Sequence, residues 1–214
     1  MRAMACAFNR KFFQLGCQLI ESFSKHHPDY PVFCWVVNCS KHQRDYLDQY
    51  PNVRVILGRK KINKNSKMRA YMTTHRFSVW SNLLQKHREV KEWVALDGDV
   101  VIEGCIDPLY DLLQQYDILL DYRGKKKKDM IAGGCLAYNN SSIVRKYFKN
   151  YTKAHRKMIK LHGWRWYDDQ RCLYKAMKHT PVNWGTVPPI QKTNKSDDGS
   201  ILQLRGNRKW RYKS

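Results

Sequence analysis

Acidic residues are scarce in this sequence. Eighteen Asp and Glu stand against 40 Lys and Arg in 214 residues, a formal net charge of +22. A field of that sign attracts anions, so nucleic acid, an anionic membrane surface and a phosphorylated substrate all qualify as partners. Long apolar runs are missing too: nothing approaches the roughly 20 residues needed to cross a bilayer, so no membrane span is expected. The N-terminal stretch "MRAMACAFNRKFF" lacks the apolar core of a secretory signal. The seven cysteines form no CxxC pair, and most sit in apolar segments where a thiol packs as a small hydrophobe. The eight histidines show no HxxxH or HxH spacing, which argues against a zinc site. Reduced cysteines and no leader imply the cytosol, the host's if the chain is viral, and make the Asn-x-Ser/Thr triplets at Asn38, Asn139, Asn140, Asn150 and Asn194 coincidental. Internal repeats, low-complexity tracts and long linkers are absent as well, so the chain reads as one domain.

What is present suits a packed core: 43% of the residues are hydrophobic and 13% aromatic. "RAMACAF" followed by Phe12, Phe13, Gly16, Leu19, Ile20 and Phe23 at helical spacing predicts a strand and then a helix ending before Pro28. "PVFCWVVN" is the continuous run of a strand covered on both faces. A helix over 41–50, a strand over 53–57, and a helix capped by Ser66 with Met68, Met72, Val79 and Leu83 on one stripe come next. "EWVALD", "YDILLDYR", "MIAGGCLAYN" and "ILQLRG" predict further strands, the third interrupted by two glycines. Helices are expected over 107–115, 140–158 and 166–178. Alternating strands and helices imply an α/β/α sandwich, Rossmann-like, with a mostly parallel central sheet. The basic runs "GRKK" (58–61), "GKKKK" (124–128) and "RKWRYK" (208–213) read as solvated loops.

In such sheets ligands collect beyond the carboxyl ends of the strands. At one of those ends stands "VALDGDVVIEG", with Asp97 and Asp99 flanking Gly98. In an extended segment residues i and i+2 point the same way, so the two carboxylates can aim at one point while Gly98 lets backbone approach a ligand. Like charges so close repel unless a cation sits between them. A hard divalent ion, Mn²⁺ or Mg²⁺, fits oxygen ligands and keeps positions for substrate phosphates. The alternative is an ordinary Asp-Gly turn at a strand end.

"WVALDGDVVIEGCIDPLYDL" resembles the DxD region of GT-A nucleotide-sugar glycosyltransferases, whose aspartates bind Mn²⁺ and the donor's diphosphate and ribose. "ACAFNRKFFQLGCQLIESFSKHHPDYPVFCWV" is similar to that family's opening strand and helix, which implies that Ala7, Phe8 and Asn9 lie near uracil. "SKMRAY" resembles the helix start that supplies a basic residue to the donor, implicating Lys67 and Arg69. "IAGGCLAYNNSS" looks like the acceptor-side strand, "DDQRCLYKAMK" like the helix facing the sugar, and "ILQLRGNRKW" like the C-terminal HxxGxxKPW element, with Gly206, Lys209 and Trp210 in register. In style the chain is similar to small glycosyltransferase domains encoded by chlorella viruses. The resemblance covers most of the sequence and implies a nucleotide-binding half over 1–104 and an acceptor-side half over 105–214. Two departures stand out: Gln203 takes the place of the usual third metal ligand, His, and Ala132 that of the Asn opening the acceptor motif. The implied metal ligands are therefore Asp97, Asp99 and Gln203.

The resemblance implies transfer of a sugar from a nucleotide-diphosphate sugar, expected to be a UDP sugar, to a glycan or glycoprotein acceptor. Negative charge developing on the leaving phosphate would be met by the metal, Lys67 and Lys209. Asp168, Asp169 and Asp121 are candidate bases for the acceptor hydroxyl, although acids in a helix's first turn also offset its dipole. Trp164 and Trp166 could stack on a sugar face or pack in the core. The rival readings are a metal-dependent nuclease or phosphotransferase, and a basic module gripping nucleic acid; stable nucleic-acid binding is not expected.

Overall fold

The first two strands show why the apolar runs are continuous. Strand β1 (Arg2–Asn9) sends Ala3 and Ala5 to one face of the sheet and Met4, Cys6 and Phe8 to the other. Strand β2 (Val32–Val37) does the same with Phe33, Trp35 and Val37 against Val32, Cys34 and Val36. Side chains alternate, but helices cover both faces, so no position calls for a polar residue.

The structure is a computed structural model that describes residues 1–122, 131–188, 191–192 and 200–204. The other elements, in chain order, are α1 (Phe13–His26), α2 (Lys41–Leu47), β3 (Val53–Gly58), α3 (Asn65–Lys86), β4 (Glu92–Asp97), β5 (Val100–Ile102) and α4 (Asp107–Asp111). They continue with β6 (Ile118–Tyr122), β7 (Ile131–Asn139), α5 (Ser142–His162), α6 (Asp168–Lys178), β8 (Trp184–Thr186), β9 (Gln191–Lys192) and β10 (Ile201–Gln203). The central sheet has seven strands in the order β3-β2-β1-β4-β7-β6-β8. Its pairings are parallel except those of β7 with β4 and β6. Leu19, Ile20, Leu47 and Leu109 of α1, α2 and α4 pack on one face; Phe77, Trp80, Tyr147, Phe148 and Leu173 of α3, α5 and α6 pack on the other. The result is an α/β/α sandwich on a mostly parallel sheet. A small sheet, β5-β10-β9, stands beside it.

Helix starts follow their caps where caps exist. Ser40 and Gln43 form a capping box on α2, and the Ser141 hydroxyl accepts the Val144 N–H on α5. Ser66, expected as the cap of α3, lies inside it instead: the helix begins at Asn65, and Lys64 in the cap position makes no side-chain bond. Tertiary packing accounts for this start, since α3 buries Ala70, Tyr71, Phe77, Trp80 and Leu84 against the sheet and its neighbouring helices. Strands β5 and β8 have three residues each, too few to show a period in sequence.

Candidate active site at the end of β4

Trp93 and Ala95 of β4 face the layer of α3, α5 and α6, and a strand's period of two turns Asp97 the same way. Arg76 of α3 meets it there. Arg76 Nη1 donates to Asp97 Oδ1, and Nη2 donates to the Gly133 carbonyl at 2.7 Å and lies 3.7 Å from Asp169 Oδ2. The Arg76 and Asp169 side chains are each only 7% exposed, and Asp97 is 25% exposed. Burial pushes the Asp169 carboxyl above the usual range, with Arg76 pulling it back. Burial also lowers the Arg76 pKa, opposed first by the charge of Asp169. Arg76 Nε is buried with no acceptor.

A break in pairing makes room for this cluster. Leu120 of β6 pairs with Leu136 of β7, but its neighbour Asp121 pairs with Ala132, so Gly133, Gly134 and Cys135 bulge between them. A Cβ on Gly133 would come within 2.8 Å of Arg76 Nη2 and 3.1 Å of Asp169 Oδ2, so any larger residue would displace the guanidinium. Asp121 stands half-buried opposite Ala132, beside the bulge.

The end of β1 closes the other side. Ala7 pairs with Asp97, and a Cβ on Gly98 would lie 3.1 Å from the Ala7 carbonyl and 3.2 Å from Phe8 Cβ. Asn9, third of the expected base contacts, uses its side-chain oxygen locally, accepting the Lys11 and Phe12 N–H groups at 3.0 and 3.3 Å. Gly98 and Asp99 form a turn rather than the extended segment expected, and β5 begins directly after. Backbone of the C-terminal region reaches this turn: Gln203 pairs with Val100, and the Leu204 N–H donates to the Asp99 carbonyl at 2.9 Å. The expected contacts of Gly206, Lys209 and Trp210, and of the Gln203 side chain, lie outside the described residues, as do the 124–128 and 208–213 runs.

The other expected residues spread more widely. Asp168 opens α6 at 2% exposure, pairs with Arg171 at 3.3 Å, and is pushed upward by burial. Lys67 and Arg69 are exposed on the first turns of α3, where the Arg69 guanidinium covers the Trp166 ring at 3.8 Å. Trp164 packs against Tyr71, with ring centroids 4.9 Å apart. Tyr167 takes a left-handed backbone, φ 71°, at the cap of α6, leaving its ring and that of Trp166 exposed. Arg76 escapes a reading by motif because it resembles no motif residue. Its signal is physical: it occupies the stripe of Met72 and Trp80, four residues either way, where a cation is out of place without a buried partner.

Two sets of side chains among the described residues bear on metal binding. One is Asp97 with Asp99 two residues on, where the cation that lies against Asp97 is Arg76. Asp97 and Asp99 offer oxygen ligands of the kind a hard divalent ion takes, with Arg76 Nη1 now donating to Asp97 Oδ1. His27, Cys105 and Asp107 also place ligand atoms within 4.8 Å of one another. Those atoms are engaged: His27 Nε2 accepts the Ile106 N–H at 3.2 Å, and Asp107 Oδ1 accepts from Arg2 at 3.1 Å and from the Tyr30 hydroxyl at 3.0 Å. Arg2 begins β1, which puts this cluster roughly 20 Å from the end of that strand.

No family model matches the sequence, and no curated protein matches it. The fold does have solved counterparts. The galactosyltransferase LgtC, in complex with donor and acceptor sugar analogues, superposes with a TM-score of 0.68 at 14% identity, over 96% of this chain and 87% of LgtC. An active-site mutant of LgtC gives 0.67 at 15% identity, over 96% of this chain and 88% of the mutant. The bifunctional glycosyltransferase WbbM, in its apo form, gives 0.63 at 12% identity, over 95% of this chain and 45% of WbbM. The fold is that of the GT-A glycosyltransferases: one α/β domain built on a seven-stranded, mostly parallel sheet.

Proposed function

We propose that the chain is a glycosyltransferase that takes its sugar from a nucleotide diphosphate, a UDP sugar in particular, with a divalent metal held by Asp97 and Asp99. The observation that carries this reading is the position of the Asp-Gly-Asp turn. It lies at the carboxyl end of β4, flush against the end of β1, in a fold shared with enzymes of that class. The metal would stabilise charge on the departing phosphate. Ala7 and Phe8 would border the nucleotide, residues 1–104 forming the donor half and 105–214 the acceptor half.

Arg76 is the chain's own contribution. A guanidinium fixed by a backbone carbonyl and two carboxylates is a preorganised cation, and it holds Asp97 in place without needing to reorganise. Asp169, buried with its proton affinity raised, would accept a hydrogen bond from the transferred sugar or take a proton from the acceptor hydroxyl. Trp166 and Tyr167 would offer exposed ring faces to a glycan acceptor.

Thermal unfolding against UDP, GDP, CMP and TDP sugars, with and without Mn²⁺, tests the reading. Ligand at a hundred times its Kd adds about 2.7 kcal/mol, and Tm should rise by roughly 5–10 °C for a chain of this size. The rise should require Mn²⁺ and vanish in Asp97→Asn and Asp99→Asn. Lack of a metal-dependent shift with every nucleotide would refute the proposal.

A further inference from the structure

The "GRKK" run reads in sequence as a solvated loop, but it is pinned in place. Asn38, at the end of β2, adopts a left-handed backbone with φ 57°. Its side chain brackets one residue of the run, accepting the Lys60 N–H at 2.9 Å and donating to the Lys60 carbonyl at 2.8 Å. The Asn38 N–H donates to the Gly58 carbonyl at 3.0 Å, a third tie. Asn tolerates that backbone region better than most residues, so the choice of residue and the geometry agree. The outcome is a fixed rim on a cleft of ≈ 580 Å³ between the carboxyl ends of β2 and β3 and helix α2.

Arg44, Arg59, Lys60 and Lys61 surround this cleft, and Leu57 gives it an apolar wall, with Val36 buried behind. Leu57 is 54% exposed. Lys60 Nζ lies 5.8 Å over the Tyr71 ring. Among the described residues no carboxylate comes within ion-pair distance of Arg44, Arg59 or Lys61. Arg44 Nε is moreover buried with no acceptor, a deficit worth correcting since a buried unpaired donor is unfavourable. Asp45 and Asp48, with Lys41, line an adjoining smaller cleft that shares Arg44 and Leu57.

We propose that this cleft binds the phosphate monoester of a sugar-sized organic molecule, with the phosphate on Arg44 and Arg59 and the organic part against Leu57. The volume lies in the range of small-molecule sites. The guanidinium pair suits the oxygens of a phosphate. The apolar wall has no use for a bare ion. An extended nucleic acid strand is disfavoured, because its next phosphates would run past Asp45 and Asp48. The site involves neither Asp97 nor Asp99 and stands whether or not they hold a metal.

Calorimetric titration of the full chain in EDTA, which silences any metal-dependent nucleotide site, tests this. The probes are glucose 1-phosphate, glucose, inorganic phosphate and a ten-residue oligothymidylate. Glucose 1-phosphate should bind saturably at one site, tighter than inorganic phosphate, and glucose should not bind. Arg44→Gln/Arg59→Gln should weaken glucose 1-phosphate by about tenfold or more. The charge-matched control Lys149→Gln/Lys153→Gln, on exposed positions of α5, should change it less than about twofold. Equal weakening in the control would show that only the overall charge matters. Inorganic phosphate binding as tightly as the ester, tighter binding of the oligothymidylate, or no saturable binding would each overturn the proposal. If the double variant fails to fold, Arg59→Gln alone, at an exposed position, carries the same expectation with a smaller loss, and unchanged affinity in it would also overturn the proposal.

Discussion

Replacing Arg76 with Met removes the charge that faces buried Asp169 while keeping most of the side-chain volume. The two side chains are each 7% exposed, with Arg76 Nη2 3.7 Å from Asp169 Oδ2. Solvent therefore screens the remaining carboxylate little. Removing one partner of a buried pair destabilises by about 3–5 kcal/mol at neutral pH. The loss must also depend on pH with a definite sign. The folded Asp169 pKa is already raised by burial, and Arg76 is the first opposing influence, so Arg76→Met raises it further. A carboxyl whose folded pKa exceeds its unfolded value is at no disadvantage below the unfolded pKa, near 3.9. Its penalty grows as pH rises through the folded pKa. The difference between wild type and Arg76→Met should thus be largest at neutral pH and shrink as pH falls toward 4. Urea unfolding followed by tryptophan fluorescence measures it. Asp169→Asn should remove most of the pH dependence of the Arg76→Met effect, and the double variant should be clearly more stable than the sum of the two single losses implies. Additivity within about 0.5 kcal/mol, or a loss in Arg76→Met independent of pH, would refute the coupling.

Three further expectations follow from the same structure. Gly133→Ala forces a Cβ to within 2.8 Å of Arg76 Nη2; overpacking of this kind typically costs about 1–3 kcal/mol, and an unchanged Tm would contradict the close approach. His155 is 2% exposed with Nε2 unpartnered, and burial lowers its pKa to about 4. The unfolded chain therefore takes up that proton first, and stability should fall by roughly 3 kcal/mol between pH 6.5 and 4. His155→Phe should flatten that slope, and a slope identical to wild type would be the contrary result. Trp166→Ala loses the ring under Arg69, so acceptor KM should rise with little change in Tm, whereas a drop of many degrees with KM unchanged would make the ring purely structural.

Local pattern made much of the architecture legible. The runs "PVFCWVVN" and "EWVALD" are strands covered on both faces, and the helices expected over 41–50 and 140–158 are present as α2 and α5. Ser66 misleads as a cap because the start of α3 answers to packing along the whole helix. The Asp-Gly-Asp stretch is equally visible, standing where an apolar run ends, although its turn geometry is not. By itself, then, the sequence determined the alternation of strands and helices, the covered faces of the sheet and the placing of two carboxylates at a strand end, all of which depend on near neighbours in the chain. Tertiary structure alone decided what those carboxylates meet. Arg76 is 21 residues from Asp97 and 57 from Gly133, and the bulge that admits it comes from how β6 and β7 pair. The cleft at Asn38 likewise joins the end of β2 to Lys60, 22 residues along the chain. Such contacts are selected by packing and charge across the whole fold, and no local spacing encodes them.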